Sequence, residues 1–199
     1  MFFKSKEGKE KMKRLIKFIE KNSSGKKVLG LFILTNVVYT FMLTVTIPKT
    51  MEFSNGMKLL DMMPTGYDLE YVNELFNALG ENGRLTYLNN QIPVDMIYPL
   101  LFGISYCLVM AYFLKKLNKL NSPVKYLCFL PIIAGLADYC ENIGIIRVLN
   151  NYPDFTESAV SITSMFSVIK SISTSLFFIA LIAVLILVSI NYFKKIRNS

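Results

Sequence analysis

Apolar positions run along the chain in four long blocks, Val28 to Pro48, Pro93 to Leu114, Tyr126 to Leu149, and about Ser158 to Phe193. A helix needs roughly 20 residues to cross about 30 Å of hydrocarbon, and each block is long enough. The pattern predicts an all-α integral membrane protein with four transmembrane helices in one bundle, spanning about 28–48, 93–114, 126–149 and 158–193. The first block is not read as a cleavable signal, because it follows a long polar segment and its exit, Val45 to Lys49, lacks a small-x-small site. No internal repeat is visible. The expected division is a basic segment, 1–27, followed by one four-helix domain, 28–199.

Two shorter patterns sit outside the blocks. Met12, Leu15, Ile16 and Ile19 recur at i, i+3, i+4 and i+7 among lysines, which predicts an N-terminal amphipathic helix lying on an anionic inner leaflet. The connection 49–92 is far longer than a link between helices requires, so it should carry structure of its own. Within it Leu69, Val72, Leu75, Phe76 and Leu79 keep helical spacing, with Asp68 placed to cap the start and Gly80 to end it. Residues 80–87 read as a turn-rich element that presents Arg84 and Tyr87 on one side, with Arg84 docking the connection onto Asp95.

Charge adds a direction. Ten Lys and Arg lie in residues 1–27, four between the second and third spans and three after the fourth, whereas 49–92 and the connection holding Asp154 and Glu157 are acid-rich. The bias predicts cytoplasmic N and C termini and an extracytoplasmic loop 49–92. The Lys, Asn and Ile richness fits an AT-rich genome, and a bacterial plasma membrane is the default expectation. The net charge of +8 then belongs to the cytoplasmic skirt, and nucleic acid is not an expected partner. The four-span plan with a long first outer connection resembles the claudin layout in outline, but 49–92 contains no cysteine, so the claudin loop disulfide has no counterpart.

Composition restricts the chemistry further. Hydrophobic residues make up 53% of the chain, and there is no histidine. Ser-His and Cys-His nucleophiles and histidine-based zinc or haem sites are therefore excluded, and acid–base work falls to carboxylates, Lys or Tyr. Cys107, Cys128 and Cys140 stand singly in apolar stretches without a C-x-x-C pair. No cofactor and no metal site is expected.

Charged groups inside spans are costly and by default mark function. In the third span Asp138, Glu141 and Asn142 share one helical face by i, i+3, i+4 spacing, and Arg147 points away. Asp138 and Glu141 are the candidate acid and base, with Asn142 orienting. Asp95 opens the second span, with Tyr98, Pro99, Phe102 and Tyr106 along one face. Pro99 has no N–H, so the Asp95 carbonyl is expected to bond elsewhere. In the fourth span Thr163, Ser167, Lys170 and Thr174 form a stripe, and counting outward from Lys194 puts Lys170 level with Asp95, its first expected partner, with a downward reach to Glu141 the second. The candidate ligand-binding set is Asp95, Asn142, Lys170, Tyr98, Tyr106 and Arg84.

These residues describe a carboxylate-lined cavity open to the outer side, suited to membrane lipids or a lipid-like amphiphile bearing hydroxyl or ammonium groups. Two other readings use the same residues: a small proton- or cation-coupled transporter, and a structural subunit whose polar cluster holds helices together and whose outer loop meets a second copy or another membrane protein.

Overall fold

The computed structural model describes residues 2–197, and among them every regular element is helical. In chain order these are α1 (Phe2–Asn22), α2 (Gly25–Phe41), α3 (Ile47–Met51), α4 (Leu69–Thr86), α5 (Ile92–Asp95), α6 (Tyr98–Lys116), α7 (Leu130–Asn150) and α8 (Glu157–Arg197). Four helical stretches are long and apolar enough to cross a membrane: Gly25–Met51, Leu69–Lys116, Pro123–Asn150 and Glu157–Arg197.

Three prolines explain why two of these stretches are segmented. Pro48 and Pro93 each lack the N–H that would reach back one turn, and each is preceded by a π-helical turn, Met42–Thr46 and Tyr87–Gln91, which absorbs the lost bond. Pro99, at the start of α6, imposes the break between α5 and α6. The two π turns face one another and are joined by the Thr46 hydroxyl donating to Gln91 Oε1.

The first part of the second stretch departs from expectation. Asp68 caps α4, its Oδ1 accepting from the Tyr71 N–H at 2.9 Å. Gly80 adopts φ 60°, ψ −171°, which bends the chain, yet residues 81–86 resume helix rather than forming a turn-rich element. Arg84 has a local task here. Its Nη1 donates to the Phe76 carbonyl at 2.7 Å, an acceptor orphaned by the bend, and its guanidinium lies 4.1 Å from the Tyr152 ring centroid. It does not dock onto Asp95.

Two apolar cores result. One gathers Val28, Phe102, Tyr106, Met110, Leu114, Phe177 and Leu181 around α6. The other gathers Leu59, Leu60, Val72, Leu75, Phe76, Ile145, Val148 and Val160 around α4. Helix α1 is amphipathic as the spacing predicts, but Ile16 and Ile19 are buried in the first core, so part of its apolar face covers the bundle. Leu15 and Phe18 remain exposed.

Packing runs α2 on α6, α6 on α7 and α7 on α8, whereas α2 and α8 share no extended contact. The ring of spans is therefore open along one seam. The closed sides depend on small residues: a Cβ at Gly135 would stand 2.6 Å from the Pro99 carbonyl oxygen, and one at Gly144 would collide with Thr163. Gly30, by contrast, faces open space. Gly135→Ala should therefore destabilise the protein by about 1–3 kcal/mol through overpacking. Gly30→Ala should leave stability unchanged or raise it slightly, and thermal unfolding of the two variants in the same detergent checks the contrast.

Candidate functional site

The polar residues of α7 and α8 lie between the two cores. On α7, Ala134 belongs to the first core and Ile145 to the second, and Asp138, Glu141 and Asn142 fall between them. On α8, Phe177 and Val160 bracket Ser167 and Lys170 in the same way. Helical periodicity alone puts these residues on inward faces, and all except Lys170 are buried.

Lys170 is the hub. Its Nζ donates to Asp138 Oδ1 at 3.2 Å and to the Asp61 carbonyl oxygen at 3.2 Å, and it forms an ion pair with Glu141 Oε2. Two hydrogen bonds and one ion pair thus hold the amine from three sides. Glu141 accepts a further bond from the Ser167 hydroxyl at 2.5 Å. The partner expected from depth counting, Asp95, is not bonded to Lys170. The count took the end of α8 as a marker of the interface, but a 41-residue helix is about 60 Å long, and its ends need not coincide with the membrane faces.

Asp61 enters from a segment whose chemistry the sequence reading passed over. The stretch 57–68 folds back over the site with Leu59 and Leu60 fully buried. The Asp61 carboxylate receives the Tyr87 hydroxyl and, at 2.8 Å, the Gln91 side-chain amide, and both donors are fully buried. Ser164 on α8 anchors the next turn by accepting the Tyr67 N–H at 2.8 Å. Gly66 is required there, since its φ is +83° and a Cβ would lie 2.6 Å from Ser164 Oγ. Burial pushes the Tyr67 phenol up, and the neighbouring Glu141 carboxylate adds to the effect. The signal for Asp61 was present in the sequence: Leu59-Leu60-Asp61-Met62-Met63 places a lone charge inside an apolar run.

Asp95 stands apart from this network. Its backbone carbonyl, released by Pro99, accepts from Asn142 Nδ2 at 3.0 Å, as the missing N–H implies. Its carboxylate is 3% exposed, and Oδ2 has no hydrogen-bond partner among the described residues. Asn142 Oδ1 is likewise buried and unpartnered.

A cavity of about 420 Å³ opens beside these groups. Asp61, Asp95, Asp138 and Lys170 line its polar wall, and Tyr39, Met42, Leu43, Ile47, Tyr98 and Phe102 line its apolar one. Tyr39 stacks on Tyr98 with ring centroids 5.3 Å apart, and Phe102 continues the aromatic wall. The remaining boundary is Ser171, Thr174 and Ser175 of α8. Tyr39, Leu43 and Ser175 are exposed, so the mouth lies on the seam between α2 and α8.

Four candidates take other positions, among them Asn142, which is buried behind the Asp95 carbonyl and does not line the cavity. Tyr106 does not line the cavity; it is packed in the first core among Phe32, Phe102, Phe177 and Phe178. Arg84 is engaged at Phe76 and Tyr152. Glu141 lies behind Lys170 rather than on the cavity wall, so it holds Lys170 in place instead of meeting a ligand. No group of three acids or cysteines among the described residues is arranged to hold a metal ion.

No family model, curated protein or solved structure matches the chain. The site therefore has to be read from its own geometry.

Removing the amine from a buried ion cluster leaves uncompensated charge, which costs about 3–5 kcal/mol. Lys170→Met should lower stability by about that amount. Adding Asp138→Asn and Glu141→Gln to Lys170→Met should recover much of the loss, and denaturant or thermal titration of the single and triple variants measures the difference.

Proposed function

We propose that this protein binds, and acts through its carboxylates on, a lipid-like amphiphile that enters sideways from the membrane between α2 and α8. The observation that carries the reading is the cavity at the seam, which joins one polar wall to one aromatic wall. Its polar wall includes a buried carboxylate oxygen, Asp95 Oδ2, with no partner. An amphiphile has the matching division, a head for the acids and a chain for the aromatic and aliphatic side. A cluster serving only to hold helices together has no need of a buried, unpartnered carboxylate beside a cavity, since such a group costs stability.

In this reading Asp95 exchanges a hydrogen bond or a proton with the head group, and Asp138 flanks it with its charge offset by Lys170. Asn142 orients Asp95 through the backbone carbonyl. Glu141 positions Lys170. The Lys and Arg distribution supports an arrangement with both termini in the cytoplasm and the site in the outer half of the bilayer.

The test is lipid retention by the full chain extracted with its surrounding membrane into native nanodiscs. Wild type should retain one class of amphiphile at a level several-fold above the bulk membrane. Ser175→Trp, which plugs the exposed mouth, should cut that enrichment at least ten-fold without changing the unfolding temperature. Unchanged enrichment in Ser175→Trp would refute the lateral cavity as the binding site.

A further inference from the structure

We infer that the head group recognised at this site is a hydrogen-bonding ammonium, so that the ligand is a cationic, single-amine amphiphile. The inference rests on the amphiphile reading above and specifies its chemistry.

The argument is an inventory of donors and acceptors at the cavity wall. Lys170, the one cation lining the cavity, donates to the Asp61 carbonyl and Asp138 and is ion-paired with Glu141, so its charge is already met by acids of the protein. The Gln91 amide and the Tyr87 hydroxyl are turned onto the Asp61 carboxylate. Asn142 Nδ2 is turned onto the Asp95 carbonyl. Beyond the neutral hydroxyls of Tyr39, Tyr98, Ser171, Thr174 and Ser175, what the wall offers is acceptor capacity, above all Asp95 Oδ2, which is buried and unpartnered.

The charge balance points the same way. The region holds four carboxyl groups, Asp61, Asp95, Asp138 and Glu141, against one amine, an excess of acids in a medium that screens charge poorly. A phosphate or carboxylate head would meet only the neutral hydroxyls of Tyr39, Tyr98, Ser171, Thr174 and Ser175 and would add to that excess. A neutral hydroxyl would satisfy Asp95 Oδ2 but would not offset the charge. An ammonium does both, through N–H bonds to Asp95 and attraction to Asp138. The stacked Tyr39 and Tyr98 rings, with Phe102 below them, supply an aromatic wall of the kind that also favours cations.

Three probes with the same twelve-carbon chain separate the options: dodecylammonium, dodecanol and dodecyl phosphate. Each is titrated against the full chain in phosphatidylcholine nanodiscs, with empty nanodiscs as the background, and saturable binding is read by displacement of a fluorescent alkylammonium. Dodecylammonium should bind at least ten-fold more tightly than dodecanol, and dodecyl phosphate should not compete. The preference over dodecanol should vanish in Asp95→Asn and all binding should fall in Ser175→Trp. Because the ranking is measured on wild type, it stands even if Asp95→Asn does not fold. Equal binding of dodecanol and dodecylammonium, or tighter binding of dodecyl phosphate, overturns the ammonium assignment while leaving the lateral cavity in place. Absence of saturable binding by all three overturns both.

Discussion

A lysine amine drawn between helices must have its protons met, and in this protein that requirement organises one half of the molecule. Lys170 takes partners from α7 and from the segment before α4, so its ion pairs and its bond to the Asp61 carbonyl fix two parts of the chain against α8. The close approach of Gly144 to Thr163 lets α7 and α8 come near enough for Asp138 and Glu141 to reach it. The fold-back of 57–68, with Ser164 holding Tyr67 and Gly66 making the turn, delivers the Asp61 carbonyl to the same point. Remove the amine, and the burial of these acids loses its justification.

The cavity wall is a product of backbone irregularity. A regular helix would spend its carbonyls internally, but Pro99 frees that of Asp95 and Asn142 takes it up. The π turns before Pro48 and Pro93 set Thr46 against Gln91, and Gln91 in turn orients Asp61. Prolines are thus placed where their missing N–H groups build polar sites, with neighbouring side chains satisfying what they leave open. Apolar cores above and below confine this irregular zone, so its polar groups are held in a fixed arrangement rather than dispersed along the bundle.

The spans were legible in the sequence because hydropathy over about 20 residues is a strong signal, and the face shared by Asp138, Glu141 and Asn142 followed from helical spacing. The release of the Asp95 carbonyl followed from a covalent fact about Pro99. What was not legible depended on tertiary placement. Asp61 lies in a stretch that reads as an outer connection, and only folding back over α7 and α8 brings it to Lys170. Arg84 seemed free to reach Asp95 because the bend at Gly80 gives no hint that the chain resumes a helix and turns Arg84 onto Phe76. Tyr106 shares a face with Tyr98, but two turns further along that face the neighbours are aromatic rings of the core instead of the cavity.

The order of these residues along the chain has a consequence for biogenesis. Asp61, Asp95, Asp138 and Glu141 are all made before Lys170, which belongs to the last helix. A nascent chain holding only its first three spans has its acids gathered without their counter-ion, so those spans cannot settle into their final burial on their own. Arrival of the fourth helix supplies the missing charge. The same helix forms one lip of the seam, so the step that neutralises the acids also completes the rim of the cavity beside them.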